Sequence, residues 1–298
     1  MNLPSNKQLQ YLCALADHRH FGRAAAACFV SQSALSTGIN ELERNLEVTL
    51  FERGSTVLLT PIGEELVEQA QGILTQLDHF VEYAKQSQGA FQSDLKFGVI
   101  PTIAPFLLPK ILKSMHQKYR SSKLYIREDL SPNLLNMLAK GELDVLLFAL
   151  PYDTTGFEAM ELFDDELVLC LPPQHDLNEK QQVTIKDLKQ QDILLLEDGH
   201  CLRDQSLKAC NLDSMDLSIP YQATSLNTLV QMVVNNIGIT LLPEMAVRAN
   251  ITHDTDAEIR HIDTQRDVAR SIALVWRKNS PRAPEFKQLG ELIREHRH

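Results

Sequence analysis

The chain has 298 residues, enough for two domains of ordinary size, and 44% of them are hydrophobic, so each domain can build a core and disorder is excluded. It has no apolar run near the ~20 residues of a membrane span and no apolar signal sequence at its start, so we expect a cytoplasmic protein without membrane contact. A net charge of −10 argues against an indiscriminate nucleic-acid binder, because sequence-independent affinity comes from neutralised phosphates.

Charge and cysteines are unevenly placed along the chain. Residues 1–60 carry as many cations as anions, so the acidity lies downstream. The five cysteines show no disulfide-framework spacing, and in a reducing cytosol most are expected to be free thiols. Cys13, Cys28 and Cys170 fall on predicted helices or a strand and are expected to be inert.

The first predicted elements are three helices within residues 1–60. Ser5 with Gln8 three residues later is a capping-box pattern that begins the first helix. A run of alanines predicts the second at about Phe21 to Cys28, and Ser31 is a good N-cap for the third. The third helix has an apolar face at helical spacing, formed by Leu35, Ile39, Leu42 and Leu46.

The opposite face of the third helix is polar and almost uncharged. Such side chains meet base edges and phosphates when a recognition helix enters the major groove of DNA. The alternative is an ordinary solvated helix face. The candidate DNA-binding residues on it are Gln32, Ser33, Ser36, Thr37 and Asn40.

A wing and a long helix follow. Two short strands about Gly54-Ser55 predict the wing, with Arg53 beside the turn as a further DNA-binding candidate. Residues 1–60 are thus predicted to form a winged helix-turn-helix domain. Thr60 and Pro61 suit the start of a linker helix over 61–88. The apolar residues of this helix recur at the spacing of a coiled-coil seam, which predicts a homodimer unless the helix packs on its own chain. The seam residues are Ile62, Leu66, Ala70, Ile73, Leu77, Phe80 and Ala84.

After a polar linker at 89–94, strands alternate with helices over residues 95–298, which predicts a parallel α/β sheet in two lobes around a cleft. The predicted strands are Leu95 to Ile100, Leu124 to Arg127, Asp144 to Leu150, Leu167 to Leu171, Ile193 to Leu196, Ile239 to Leu242 and Ser271 to Trp276. The predicted helices are Pro105 to Tyr119, one capped by Ser131 and Pro132 that runs to Lys140, Ser225 to Asn236, and Glu285 to Arg297.

Five segments of the N-terminal part carry a family pattern: Phe21 to Ala25, Val30 to Ser36, Glu41 to Glu43, Leu50 to Arg53, and Leu59 to Pro61 with Gly63. With these motifs, the whole chain resembles the LysR family of bacterial transcriptional regulators. The resemblance implies a two-lobed α/β effector domain of the type 2 periplasmic-binding-protein kind, preceded by an all-α winged helix-turn-helix and a long linker helix. It also implies double-stranded operator DNA, RNA polymerase and further copies of the chain, as a homodimer or homotetramer, as partners.

The DNA-binding segment departs from the family pattern in two places. Ser55-Thr56-Val57 lacks the basic residues usual in the wing. Gly38 and Asn40 stand in the recognition helix where more cationic residues are common. These departures bear on operator preference rather than on the fold.

A second motif, Glu197 to Gln205 followed by Cys210, resembles the signature of the peroxide-sensing members of the family. The resemblance implies that Cys201 attacks hydrogen peroxide and that Cys210 then forms a disulfide with it, in a regulator that activates oxidative-stress genes. The implied peroxide pocket consists of Thr102, of Ser131 where the family usually has threonine, of His200, and of Arg270.

The residues around Cys201 favour the same chemistry independently. His200 and Arg203 are near sequence neighbours, and a cationic environment lowers the pKa of a thiol and favours the reactive thiolate. Its product with peroxide, a sulfenic acid, condenses with an accessible second thiol. If one helix joined positions 201 and 210, their separation of about 13.5 Å along the axis would require rearrangement before a disulfide could form.

Several alternatives remain open. The same architecture could bind a small organic effector in the cleft, or the cysteines could all be inert. Ser131 could be only a helix cap and Thr102 only a loop residue. His200, Cys201 and Cys210 match no usual zinc spacing, and we expect no metal or cofactor. The chain has no phosphate-binding glycine loop and no nucleophile elbow, so we expect no enzyme.

Overall fold

The computed structural model describes residues 3–52, 57–86, 91–120, 123–189, 191–209, 222–263 and 268–296, with the backbone alone at 78–79 and 82–86. It divides into two compact units, Met1–Ala84 and Lys85–His298. None of the described helices combines the length and apolar character that crossing a membrane requires.

The N-terminal unit has the helices and the wing strands that the sequence predicts. The cap of the first helix is formed by Ser5 and Gln8 as a capping box, Ser31 Oγ accepts from Ala34 N at 3.2 Å, and Thr60 Oγ1 accepts from Gly63 N at 3.0 Å. The two short strands pair antiparallel. The elements are α1 (Asn6–His18), α2 (Phe21–Ala27), α3 (Gln32–Leu46), β1 (Phe51–Glu52), β2 (Leu58–Leu59) and α4 (Pro61–Gln86).

The predicted seam of α4 is divided between two environments. Ala70 is buried in the core of its own unit, together with Leu12, Leu15 and Leu35, and Leu66 packs against that core. The prediction of one continuous intermolecular seam is therefore wrong at Leu66 and Ala70, whereas Ile62 before them is 40% exposed.

The later part of α4 exposes its apolar side chains. Leu77 is 42% exposed and Phe80 is 73% exposed, with Ile73 and Val81 also exposed beside them. Contiguous exposed apolar surface of this kind marks an interaction site. Ile73, Leu77 and Phe80 are the part of the seam for which we expect a second copy of the chain as partner.

We expect Leu77→Asp to shift the protein toward the monomer and to weaken operator binding with it, because the seam would have to desolvate a carboxylate. A Leu77→Met control keeps an apolar, helix-forming side chain and should behave as wild type. Sedimentation velocity and DNA titration measure the two effects. An unchanged dimer in Leu77→Asp would contradict the intermolecular seam.

The C-terminal unit is a mixed α/β structure. Its strands are β3 (Leu95–Val99), β4 (Leu124–Glu128), β5 (Val145–Leu150), β6 (Phe157–Leu171), β7 (Leu195–Leu196), β8 (Gln222–Ala223), β9 (Thr240–Pro243), β10 (Glu258–Arg260) and β11 (Ala269–Arg277). Its helices are α5 (Ala104–Lys118), α6 (Ser131–Ala139), α7 (Ile185–Leu188), α8 (Cys201–Ala209), α9 (Leu226–Val234), α10 (Glu244–Arg248) and α11 (Ala283–Glu295), with a 3-10 turn at Asp176–Asn178.

The prediction of a parallel sheet is wrong, because the sheet is mixed. The strand order is β10-β6-β11-β5-β3-β4, with β9 also on β6, and only β3 pairs parallel with β4 and β5 within this sheet. β11 returns late in the chain and lies antiparallel between β5 and β6. Alternation of strands and helices indicates crossovers, but it does not say between which neighbours a late strand inserts.

The long strand β6 joins two lobes. Its 15 residues pair with β11 over Phe157 to Glu166 and with β9 and β10 from Leu167 onward. One continuous hydrophobic core runs through both lobes, and in the first lobe it surrounds β3, β5 and β11, with buried residues such as Phe97, Phe148 and Trp276. The second lobe is built on the end of β6 and on β7 to β10. Side chains at the junction between the lobes therefore come from distant parts of the sequence.

Candidate functional site

The polar face of α3 is where the sequence places it. Gln32, Ser33, Thr37 and Asn40 are exposed, and Ser36 is half-buried. The opposite face is buried through Leu35, Ile39 and Leu42. Arg53 lies outside the described residues.

Gly38 has a packing role rather than a place on the DNA face. It is buried, and a Cβ at this position would come within 2.7 Å of the Tyr11 ring. The departure from the family pattern at position 38 therefore has a packing reason, because the close approach of α3 to α1 requires a residue without a side chain.

Cys201 begins α8 and its side chain is buried, with 2% of the residue exposed. The turn into the helix passes through Gly199 at φ +95°, a left-handed conformation that favours glycine. A Cβ on Gly199 would also come within 3.1 Å of Leu130. The glycine therefore lets the chain turn sharply and places His200 and Cys201 at the inner end of the helix.

Arg270 supplies the positive charge near Cys201. It lies on β11, is 1% exposed, and donates from Nη1 to Thr102 Oγ1 at 2.8 Å and from Nη2 to the Thr102 carbonyl at 3.0 Å. Its Nε donates to Asp165 Oδ2 at 3.0 Å. Asp165 faces it across the strand pair and also accepts from Met245 N at 2.9 Å. The guanidinium is thus fixed in one orientation.

The Cys201 thiol is held mainly in its protonated form. Burial raises the pKa of Cys201, while the charge of Arg270 and the hydroxyl of Ser131 lower it. Asp204 raises this pKa further and the Leu202 amide lowers it. The prediction of a thiol activated below its ordinary pKa is wrong for this conformation, in which desolvation is the largest effect.

The sequence neighbours of Cys201 do not supply the charge that the sequence suggested. Burial lowers the pKa of His200, with Glu197 opposing the effect, so the imidazole is neutral at neutral pH. Arg203 donates to the Leu196 carbonyl at 3.0 Å and pairs with Asp198 at 3.0 Å. Positive charge therefore reaches Cys201 from β11.

Two buried polar atoms near Cys201 have no hydrogen-bond partner among the described residues. Ser131 Oγ lies close enough to the Cys201 sulfur to lower its pKa, yet the pair does not meet hydrogen-bond geometry. Gln205, one helical turn after Cys201, donates from Nε2 to the Ala149 carbonyl at 3.4 Å and leaves Oε1 unpaired. Buried polar atoms without a protein partner usually hydrogen-bond to an ordered water molecule.

Ser131 is not the cap of its helix. Leu130 occupies the N-cap position of α6 without a side-chain cap bond, and Ser131 is the first helical residue. The cap interpretation is therefore wrong, and the hydroxyl is buried toward Cys201. Thr102 is likewise buried and holds Arg270, which gives its hydroxyl a specific partner.

A cavity of about 450 Å³ lies beside this cluster. Thr102 and His200 line it, so it adjoins the cysteine site. Its described lining includes the carboxylates of Glu128, Asp129 and Glu197 and no lysine or arginine. Hydrogen bonds from Asn133 and Arg127 hold the pKa of Asp129 below its usual value, so that carboxylate is ionised at neutral pH.

Two family models cover almost the entire chain. Residues 6–64 match the bacterial regulatory helix-turn-helix protein, lysR family, and residues 88–297 match the LysR substrate binding domain. The chain belongs to the LysR family. It is therefore a DNA-binding transcriptional regulator with the two-lobed, periplasmic-binding-protein-like effector fold that the sequence predicts.

Among its LysR-family relatives is the DNA-binding transcriptional dual regulator OxyR of Escherichia coli K12, 39% identical over 289 residues, which cover 97% of this chain and 94% of that protein. A full-length OxyR variant from Pseudomonas aeruginosa has a TM-score of 0.78 and 34% identity, covering 99% of this chain and 96% of that one. A hydrogen-peroxide-bound OxyR variant from Corynebacterium glutamicum has a TM-score of 0.67 and 32% identity, covering 99% and 93%.

The structure brings part of the predicted site of this LysR-family chain together. Arg270 is hydrogen-bonded to Thr102, Arg270 and Ser131 both act on the Cys201 thiol, and His200 shares a cavity with Thr102. Cys210 lies outside the described residues. The four described cysteines, Cys13, Cys28, Cys170 and Cys201, form no disulfide.

Sequence reasoning missed Asp165 and Gln205. Asp165 stands opposite Arg270 in the β6–β11 register, and only knowledge of that strand pairing could have found it. Gln205 could have been found by treating the segment after Cys201 as a helix. Gln205 follows Cys201 by four residues, and residues four apart share a helical face.

Proposed function

We propose that this LysR-family regulator senses hydrogen peroxide at Cys201 and that a Cys201–Cys210 disulfide then changes the DNA-bound conformation to control oxidative-stress genes. The observation that carries the proposal is the buried Cys201 thiol next to the fixed charge of Arg270 and the hydroxyl of Ser131. The relatives named OxyR, one of them with hydrogen peroxide bound, support the same assignment.

The chemistry needs a thiolate and a small oxidant. The Cys201 sulfur attacks one oxygen of hydrogen peroxide, the O–O bond breaks, and the second oxygen leaves as hydroxide and takes up a proton to become water. Sulfur is oxidised by two electrons to the sulfenic acid, and peroxide is reduced. Arg270 stabilises the thiolate that starts the step, while Ser131 Oγ and Gln205 Oε1 are free to hydrogen-bond to the oxidant.

The second step couples oxidation to conformation. The Cys210 thiol attacks the sulfenic sulfur, an S–S bond forms, and water leaves. Cys201 and Ala209 stand at opposite ends of α8, about 12 Å apart along its axis, and a peptide unit adds only about 3.8 Å. A disulfide needs Cα atoms within about 7 Å. Bond formation therefore requires α8 to unwind, which makes oxidation a conformational signal.

We propose that this regulator works with further copies of itself, with operator DNA and with RNA polymerase. The exposed apolar part of α4 suits a homodimer, and a homotetramer of two dimers would present two pairs of DNA-binding heads to the operator. RNA polymerase is the proposed recipient of the signal. The site proposed for peroxide uses side chains alone and involves neither a cofactor nor a metal, in a protein acting in the cytoplasm.

The cavity beside the site favours one second candidate, a small organic effector bound in the cleft. Its volume of about 450 Å³ suits such a molecule. The carboxylates of Glu128, Asp129 and Glu197 would repel an anionic effector. An organic effector of this cavity would therefore have to be neutral or cationic. Hydrogen peroxide is neutral, so the carboxylates do not repel it.

Thiol alkylation mapping tests the proposed function. The full-length reduced protein is exposed to sub-stoichiometric hydrogen peroxide, denatured in an alkylating reagent, and digested for mass spectrometry. We expect Cys201 and Cys210 to escape alkylation together and to appear as one dithiol-reversible linked peptide, while Cys13, Cys28 and Cys170 serve as internal controls. If Cys201 stays fully alkylated at doses that alter transcription, the cleft-ligand alternative replaces the sensor.

A further inference from the structure

Phe29 lies in the turn between α2 and α3, and its side chain is 96% exposed. Its backbone adopts φ 56°, the left-handed conformation. A large aromatic residue gains its contribution to folding from burial, and this one is not buried by the described residues of its unit. The fold therefore gains little from a phenyl ring here.

The turn has a backbone pattern that normally selects another residue type. Phe29 N donates to the Ala26 carbonyl at 3.1 Å, and Val30 N donates to the Ala25 carbonyl at 3.0 Å, which together form a Schellman motif at the end of α2. The left-handed position of this motif is usually glycine or asparagine, because a Cβ followed by a bulky side chain is sterically unfavourable there. Phe29 is thus both conformationally unfavourable and exposed.

The location of Phe29 relates it to the DNA-binding face. It precedes the N-cap Ser31 by two residues, a span of at most about 7 Å, and the exposed Gln32 and Ser33 follow directly. In a helix-turn-helix the N-terminal end of the recognition helix enters the major groove. The Phe29 ring therefore stands at the leading edge of α3, where DNA would cover it.

We propose that Phe29 is an apolar contact to operator DNA, packing on the C–H surface that thymine methyl groups and deoxyribose rings offer at the edge of the major groove. Phenylalanine is among the side chains that contact thymine methyl groups. The contact is uncharged, so it adds affinity without adding a phosphate neutralised by a cation. The wing segment Ser55-Thr56-Val57 carries no cation, so an apolar contact would have particular weight in this chain.

The test compares Phe29→Asn with wild type in the full-length reduced protein, using a DNA duplex that the wild type selects from a random-sequence library. Asparagine tolerates the left-handed turn, so the melting temperature should rise. Affinity for the duplex should fall about tenfold, as for the loss of one good contact in the groove. The slope of log affinity against log salt should stay unchanged, because no phosphate contact is lost.

Two control variants separate the ring from the backbone strain. Glu47 also has a left-handed backbone, φ 57°, at the C-cap of α3, and Glu47→Asn relieves that strain while removing a negative charge. It should raise the melting temperature without weakening DNA binding. Phe29→Leu keeps an apolar side chain and should retain most of the affinity.

Replacing thymine by deoxyuridine in the selected duplex distinguishes the two apolar surfaces. If Phe29 contacts a methyl group, the difference between wild type and Phe29→Asn disappears on this duplex, and if it contacts deoxyribose, the difference persists. The proposal is overturned if Phe29→Asn binds the duplex as tightly as wild type, including the case in which only transcription by RNA polymerase is lost, which would assign Phe29 to a protein partner. A lowered melting temperature in Phe29→Asn also overturns it, since the ring would then support the fold.

Discussion

Cys201→Ser is expected to abolish the transcriptional response to hydrogen peroxide, whereas Cys210→Ser is expected to leave a thiol that reacts but cannot form the disulfide. The difference follows from the two steps, since only Cys201 attacks the oxidant and only Cys210 condenses with the product. The effect of Cys201→Ser should be a complete loss, because a serine hydroxyl cannot reduce peroxide. A reporter assay and whole-protein mass measurement with a dimedone-type reagent distinguish the variants.

The Cys210→Ser variant carries the more informative result. After a peroxide pulse, it should give a dimedone adduct on Cys201, and at higher doses Cys201 should proceed to the sulfinic acid more readily than in wild type. Cys170→Ser is the matched control, because Cys170 is buried and burial raises its pKa to about 12, which keeps that thiol protonated and unreactive. A peroxide response that survives in Cys201→Ser would refute the assignment of Cys201 as the sensor.

The local elements of the fold could be predicted from the sequence because short-range hydrogen bonds determine them. Ser5 and Ser31 each cap a helix within three residues, and the structure has both. The direction of the strands could not be predicted in the same way. β11 inserts antiparallel between β5 and β6, and this pairing depends on contacts across more than a hundred residues of chain, which no local pattern records.

The candidate site shows the same difference between local features, which the sequence predicts, and long-range contacts, which it does not. The motif around Cys201 identified the candidate cysteine, but it predicted neither that Cys201 begins a helix nor which charges face it. Arg203, two residues away, turns to the Leu196 carbonyl, while Arg270 arrives from β11. Asp165, which orients Arg270, has no signal in the sequence. Proximity in sequence is a poor guide to electrostatics at a helix start, because adjacent side chains project in different directions.

Arg270→Met is expected to impair the regulator in two separable ways. The buried Asp165 would lose its ion-pair partner, which should lower the free energy of unfolding by about 3–5 kcal/mol. Loss of the positive charge would also raise the pKa of Cys201 further, so less thiolate would be present at neutral pH. The rate of sulfenic acid formation should therefore fall at pH 7, and its rise with pH should move to higher pH.

A second substitution separates these two effects. Arg270→Met combined with Asp165→Asn leaves no unpaired buried charge and keeps an oxygen for the Met245 amide, so most of the lost stability should return. The slow reaction with peroxide should remain, because the charge near Cys201 is still absent.

Arg282→Met is the matched control. Arg282 is also a buried, ion-paired arginine, bound to Glu285, so its loss should destabilise the unit without moving the pH dependence of Cys201. Stopped-flow peroxide kinetics and urea unfolding measure the two quantities. Recovery of the wild-type rate in the double variant would show that Arg270 acts on Cys201 only through the fold, because charge removal would then have no chemical consequence of its own.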